Sequence, residues 1–303
     1  DDYGESDMPQ GDNGYSMSKW SLEDFKVAIH GNKGGILKHL TLLPNPSSII
    51  GEAQKEFYSE SGLIKSSNVD KQLCWLLNKE YQIYQQYQSK VYTNFLSQMS
   101  HWVRTNPGRH PCLDDLVEKL TSKIYGEKML DVMPDEVAMA FVALEGSISQ
   151  GRRSRAGGSL MEQLEFVLNI HGFHKNMHFM REQKVGGKQT TKLDYVFPNL
   201  EFMNRNASQS VTCANMTTIN DRYRLAVQQL QPNTIRRVLT ALGAPAFMSD
   251  ISKLSSETIE TFHINQVKVV VLEDAVVHIN DNFGVVQTYT EWFEELKIMS
   301  NFW

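Results

Sequence analysis

The segment Met216-Thr-Thr-Ile-Asn-Asp-Arg-Tyr-Arg224 separates a strand-like run from a helix-like run and is the most informative stretch of the chain. Two further segments precede it, Arg152-Arg-Ser-Arg-Ala-Gly-Gly-Ser-Leu160 and Lys192-Leu-Asp-Tyr-Val-Phe-Pro198. Around them, short apolar runs such as Val267–Leu272 alternate with helical patterns such as Thr290–Met299. Strands that alternate with helices predict an α/β core.

In this order and at roughly these separations, the three segments resemble the core of the EcoRII-type restriction endonucleases. That family carries SRAG-x-SLE, then a K-x-D-F-x-F-P-like segment, then K-T-T-x-x-[DE]-R-W-R, and the resemblance covers about residues 150–298. It implies a type II enzyme of the PD-(D/E)XK class that hydrolyses double-stranded DNA at a palindromic or interrupted CC/GG-type site. It also implies a restriction-endonuclease-like mixed central sheet flanked by helices, preceded here by a helical N-terminal region.

Charge is unevenly distributed along the chain. Residues 151–240 contain 13 Lys and Arg against 6 Asp and Glu, although the whole chain has a net charge of −5. A basic segment can lie on phosphates, but it is equally typical of a solvated surface. Charge alone therefore leaves DNA binding open, and the overlap with the three motif segments favours it.

Composition limits the other possibilities. No apolar run approaches 18 residues, and the polar start from Asp1 to Asp12 has no signal pattern, so we expect a cytoplasmic protein without a membrane partner. Three widely spaced cysteines, an odd number, argue against a disulfide framework or a cysteine-based zinc site.

Three regions are predicted. Residues 1–17 are rich in Gly, Asp and Ser and are expected to form a mobile leader. Residues 18–145 form a helical N-terminal region, which begins at the capping box Ser21–Asp24. Residues 146–303 form the catalytic and DNA-reading core. A loop from Gly146 to Gly158 is expected to join the two, and a second capping box, Ser159–Glu162, to open the first core helix.

Hydrolysis of a phosphodiester calls for a divalent metal, here Mg²⁺, held by hard oxygen ligands. The resemblance places Asp194 at the family's metal-binding aspartate. The family's motif glutamate corresponds to Met161, so Glu162 and Glu165 are the nearest acids, with Glu162 as the second metal-ligand candidate. The capping box explains Glu162 equally well.

The position of the family's catalytic lysine is Met216, which can neither bind Mg²⁺ nor carry positive charge. Lys188 and Lys192 are the nearest lysines that could supply the cation instead. Relatives place another glutamate where this chain has Gln229. The sequence thus predicts either a relocated cation or a loss of catalytic power.

The DNA-reading residues are better preserved. Arg222 can donate two hydrogen bonds to guanine and Asp221 can accept one from cytosine, as a CC/GG site requires. Asn220 replaces the first reading residue of the family, and Arg224 closes the motif. Phosphate or base contacts from the upstream loop are also predicted for Arg152, Arg153 and Arg155.

A palindromic site imposes two-fold symmetry, so we expect a homodimer bound to double-stranded DNA. The alternative is a catalytically degenerate, sequence-specific DNA-binding relative, which would bind without cutting.

Overall fold

The computed structural model describes residues 18–30, 34–60, 62–122, 134–185, 191–217, 219 and 223–303, except for the side chains of 149–157. The chain divides into two compact units. The first consists of the described residues up to Leu42 together with Val91–Gln150, and the second of Leu43–Lys90 together with Gly151–Trp303.

Helices dominate the N-terminal half of the described chain, which confirms the predicted helical N-terminal region. They are α1 (Leu22–His30), α2 (Pro46–Ser59), α3 (Gly62–Lys65), α4 (Val69–Thr105), α5 (Pro111–Ser122) and α6 (Pro134–Ile170). The box that starts α1 is confirmed, since Asp24 N donates to Ser21 Oγ at 3.2 Å and Ser21 N donates to Asp24 Oδ2 at 2.8 Å. The buried side chains of the first unit include Phe25, Ile29 and Leu116.

The second unit contains a six-stranded sheet in the order β1-β2-β3-β4-β5-β6. The strands are β1 (Met180–Val185), β2 (Thr191–Phe197), β3 (Val211–Met216), β4 (Ile235–Thr240), β5 (Val267–Val271) and β6 (Val286–Thr288). The pairs β1–β2 and β2–β3 are antiparallel and the remaining pairs are parallel. The prediction of a mixed central sheet is therefore confirmed.

Helices cover both faces of this sheet. The remaining ones are α7 (Leu200–Arg205), α8 (Tyr223–Gln229), α9 (Ser256–Ile264), α10 (Glu273–Val276) and α11 (Tyr289–Ser300). On one face, Leu164 of α6 and Trp292 of α11 belong to a first core, which also contains Phe197. On the other, Tyr223 of α8 and Phe262 of α9 belong to a second core. Apolar side chains on both faces explain why a central strand such as β5 reads as a nearly continuous hydrophobic run.

Two local predictions were wrong. The backbone from Gly146 to Gly158 is helical, because α6 runs without interruption from Pro134 to Ile170. Ser159 is consequently in the interior of α6 and does not cap it; its Oγ donates to Glu80 Oε2 at 2.6 Å. The capping explanation of Glu162 is therefore also wrong.

No helix among the described residues combines the length and the apolar character that crossing a membrane requires.

Candidate active site and DNA-reading helix

Asp194 lies where two strands separate. The β2–β3 ladder extends from Phe197↔Val211 to Tyr195↔Cys213. Beyond this pair, β3 donates to a side chain of β2: Asn215 N donates a hydrogen bond to Asp194 Oδ2 at 2.6 Å. The carboxylate is thus held between the two strands, while its Oδ1 accepts no hydrogen bond from the described residues.

The electrostatic surroundings of Asp194 are mixed. Burial raises the pKa of its carboxyl group, and the hydrogen bond from Asn215 and the charge of Lys192 partly oppose that increase. Glu182 raises the same pKa further and Arg181 lowers it. A carboxyl group with a raised pKa inside a set of charged neighbours is a recognised sign of a functional site.

Lys192 lies two residues before Asp194 on β2, and its Nζ is 2.5 Å from Glu182 Oε1. This ion pair lowers the pKa of Glu182. Glu182 lies on β1 opposite Asp194, between the pairs Arg181↔Tyr195 and Gln183↔Leu193, and has a left-handed φ of 54°. Such a backbone is unfavourable for a residue with a side chain, and this strain is concentrated beside the candidate site.

Glu162 and Glu165 of α6 are bound by a cation. Arg181 Nη1 lies 2.9 Å from Glu162 Oε1 and 2.5 Å from Glu165 Oε2. The same turn of α6 is tied to β2, because Tyr195 Oη donates to the Met161 carbonyl oxygen at 2.7 Å. The structure therefore brings both predicted acids beside β2, but already paired with a guanidinium.

Met216 ends β3 and offers no charge to this region. Its side chain is partly buried and packs against the second core. Lys188 lies outside the described residues, so Lys192 is the one predicted replacement cation whose position is described.

The donor set does not fit a divalent cation as it stands. Among the described residues, no group of three or more His, Cys, Asp or Glu side chains is placed to hold a metal ion. Asp194 offers one hard oxygen, whereas one oxygen of Glu162 and one of Glu165 face Arg181, and the other oxygen of Glu165 faces Lys175. A Mg²⁺ ion usually retains several waters and takes one or two carboxylates plus phosphate oxygens. The metal-ligand roles of Asp194 and Glu162 stay predictions.

The predicted reading helix is present as α8. Tyr223 at its start is buried against Phe262, with ring centroids 5.9 Å apart. Arg224 is exposed, and its Nη2 lies 3.1 Å from Glu257 Oε1 of α9. Asn220, Asp221 and Arg222 lie outside the described residues. The backbone of Arg152, Arg153 and Arg155 belongs to α6, not to a loop, and their side chains are not described.

Sequence reasoning missed Arg181 and Glu182. They are adjacent in the sequence and both lie on β1, and a charged pair beside apolar residues was the available signal. Their partners are 10 to 19 positions away along the chain and are brought close by strand pairing and by the packing of α6.

Two solved structures share this architecture. Metal-depleted Ecl18kI in complex with uncleaved, modified DNA has a TM-score of 0.63 and 17% identity, over 94% of this chain and 86% of that chain. The restriction endonuclease PspGI-substrate DNA complex has a TM-score of 0.58 and 14% identity, over 86% of this chain and 95% of that chain. At these identities the likeness establishes the fold.

The family comparison adds the sequence evidence. No curated protein matches the chain in sequence. The model of the EcoRII C-terminal family matches residues 117–271, about half of the chain, and includes β1 to β5, Asp194 and α8. The chain therefore belongs to the EcoRII C-terminal family of type II restriction endonuclease-like proteins.

Proposed function

We propose that this chain is a sequence-specific double-stranded DNA endonuclease that hydrolyses phosphodiesters at a palindromic or interrupted CC/GG-type site. The observation that carries the proposal is Asp194, a largely buried carboxylate at the divergence of β2 and β3, with one oxygen that accepts no hydrogen bond from the described residues. Ecl18kI and PspGI, which share the fold, were solved on DNA.

We propose Mg²⁺ as the cofactor, with Asp194 as one of its ligands. Bound Mg²⁺ would polarise the phosphate and activate water. Because the described donor set of the DNA-free chain is incomplete, the remaining ligands would have to include oxygen atoms of the DNA itself. Asp194 would orient such an ion at the end of the β2–β3 ladder, and Lys192 would supply positive charge in the place of Met216.

The reading residues complete the proposal. Asp221 and Arg222 would read the cytosine and guanine edges in the major groove. Arg224, which begins the exposed face of α8, would join them, and Asn220 would contact the outer base pair. Phosphate contacts would come from Arg152, Arg153 and Arg155 on α6. A cytoplasmic homodimer would match the two-fold symmetry of the site.

The second candidate function is sequence-specific DNA binding without cleavage. Two observations favour it: Arg181 is paired with one oxygen of Glu162 and one of Glu165, and the catalytic-lysine position holds an apolar, packed Met216. Both candidates require preference for CC/GG-containing DNA.

Cleavage of a mixed-sequence plasmid in Mg²⁺ separates the two candidates. We expect the wild type to cut at discrete sites, and Asp194→Ala to lose cleavage while it retains specific binding in Ca²⁺, which supports binding without the same chemistry. Glu201→Ala, on the exposed face of α7, is the matched control and should cut normally. If the wild type binds DNA at specific sites but does not cut it, the second candidate function is established. Full cleavage by Asp194→Ala would exclude Asp194 from the site.

Recognition is tested by Arg222→Ala. Loss of a bidentate contact to guanine should cost about 1–3 kcal/mol per half-site, whereas a lost phosphate contact weakens binding to all sequences alike. We therefore expect the preference for GG-containing duplexes over mixed DNA to fall, as measured by binding titrations at fixed salt. Arg205→Ala, an exposed arginine of α7, serves as the control. Equal losses on both DNAs would make Arg222 a backbone contact.

A further inference from the structure

Arg181 lies between the two acids of α6 and the strand that carries Asp194. It is on β1, paired with Tyr195, the residue that follows Asp194. One nitrogen atom, Nη1, contacts both Glu162 and Glu165 at salt-bridge distance. One guanidinium thus forms ion pairs with two carboxylates next to the candidate catalytic aspartate.

The pair between Arg181 and Glu165 is largely shielded from solvent, because the Glu165 side chain is 18% exposed, whereas the Glu162 side chain is 47% exposed. The side chain of Arg181 is only 13% exposed, and its buried Nε makes no hydrogen bond with the described residues. Burial by itself would lower the pKa of Arg181, but the hydrogen bonds with Glu165 and Glu162 raise it above its ordinary value. The guanidinium therefore remains charged, and that charge also acts on Asp194.

A divalent cation bound by these acids would compete with Arg181 for Glu162 Oε1 and Glu165 Oε2, the two oxygen atoms that face the guanidinium. Carboxylate oxygens that bind Mg²⁺ or Mn²⁺ lie about 2 Å from the ion, so they cannot keep a guanidinium at hydrogen-bond distance in the same direction. The positive charge of Arg181 would also repel an approaching cation, and that repulsion is strong where little water screens it.

We propose that Arg181 is a built-in counter-cation, which occupies Glu162 and Glu165 in the DNA-free chain and competes with divalent metal ions for their oxygens. The second cation near this cluster, Lys175, lies 3.4 Å from Glu165 Oε1 and is more exposed, so Arg181 is the main competitor. The inference concerns the DNA-free state and holds whether the chain cleaves DNA or only binds it.

The test is Mn²⁺ binding to the full DNA-free chain, measured by isothermal titration calorimetry. Arg181→Met keeps a long side chain without the charge, and we expect it to bind Mn²⁺ at least tenfold more tightly than the wild type. Arg181→Lys, which keeps the charge, and Arg205→Met, which removes an exposed cation from α7, should both match the wild type. Adding Glu165→Gln to Arg181→Met should abolish the gain.

Unchanged Mn²⁺ affinity in folded Arg181→Met would overturn the inference. If that variant does not fold, single substitutions of the two acids in the wild-type chain still test the proposal. With Arg181 in place, Glu162→Gln and Glu165→Gln should leave Mn²⁺ binding unchanged, and a tenfold weakening by either would show that a metal uses these acids despite Arg181. Since no DNA is present, failure here and failure of the proposed endonuclease activity are distinguishable.

Discussion

Asp70 and Asp194 are both largely buried carboxylates in the second unit, and burial raises the pKa of each, yet their surroundings differ. Asp70 of α4 accepts hydrogen bonds from the backbone N–H of Glu273, Tyr289 and Thr290, at 3.1, 3.2 and 2.8 Å, and from the Thr290 hydroxyl. It thereby caps the first turns of both α10 and α11. Asp194 accepts one hydrogen bond from the described residues.

The contrast separates a structural carboxylate from one available for chemistry. Both oxygens of Asp70 accept hydrogen bonds, and their negative charge lies at the N-termini of two helices, the positive ends of the helix dipoles, where anions are stabilised. Asp194 keeps an oxygen for an external partner, which is what a ligand or base requires. We infer that the number of hydrogen bonds accepted, more than burial or pKa shift, distinguishes the two roles.

The largest effect on stability should come from Asp70→Ala. The substitution leaves three backbone N–H donors without their acceptor. Each buried donor that lacks an acceptor lowers the free energy of unfolding by about 1–3 kcal/mol. Relief from burying a charge offsets part of that cost, so we expect the free energy of unfolding to fall by about 3–5 kcal/mol in urea titrations. Asp281→Ala, which removes a less buried carboxylate that accepts from Phe283 and Val286, should cost less. Equal losses of unfolding free energy in Asp70→Ala and Asp281→Ala would show that Asp70 contributes no more than an ordinary turn residue.

A smaller effect, on cleavage, is expected around Met216. If Lys192 supplies the missing cation, Lys192→Gln should lower the cleavage rate by about 10- to 100-fold, which corresponds to about 1.4–2.8 kcal/mol of transition-state stabilisation. Lys184→Gln, which lies opposite Lys192 on β1, is the matched control and should change it little. Met216→Lys should also change it little, since it adds a charge to a packed, partly buried position.

Rates measured in Mg²⁺ on a CC/GG duplex check this prediction. Wild-type cleavage that survives neutralisation of both Lys192 and Lys188 would contradict the relocated cation. A wild type that binds without cutting, and that Met216→Lys does not restore, would instead identify the degenerate relative.

The sequence predicted the sheet well because its signal is local. Apolar runs with β-branched residues, such as Val267–Val271, indicate buried strands wherever they occur. Helix α6 was mispredicted because glycines and arginines from Gly146 to Gly158 are typical of a loop. A Cβ added at either of these two glycines would meet nothing within 4 Å, so close packing does not require them. The helix persists because packing, as at the fully buried Leu164, overrides weak local propensity.

The candidate site was predictable only in part. The proposed role of Asp194 follows from a short motif, but the pairing of Arg181 with Glu162 and Glu165 depends on where β1 lies against α6. The spacing of residues along a single helix or strand does not reveal a contact between two different elements. The same holds for Asp70, whose partners are more than 200 positions away along the chain.

The smallest expected effect is a gain in stability from Asp194→Asn. Burial raises the pKa of Asp194, so the folded chain binds this proton more tightly than the unfolded chain does. As pH rises from the ordinary value of 3.8 through the raised folded pKa, ionisation of Asp194 therefore lowers the free energy of unfolding. Asparagine removes that cost and can still accept from Asn215 N.

We expect Asp194→Asn to be more stable than the wild type by about 0.5–2 kcal/mol at neutral pH, the range common for single stabilising substitutions. The difference should shrink on acidification through the raised pKa and vanish below pH 3.8, where the wild-type carboxyl is protonated in both the folded and the unfolded chain. Urea unfolding of both proteins at several pH values, without metal, measures it. Asp70→Asn provides the contrast, because an amide cannot replace all four hydrogen bonds, and it should lose stability at every pH. A pH-independent difference for Asp194→Asn would mean that packing, and not the buried charge, sets the cost of keeping an aspartate at this position.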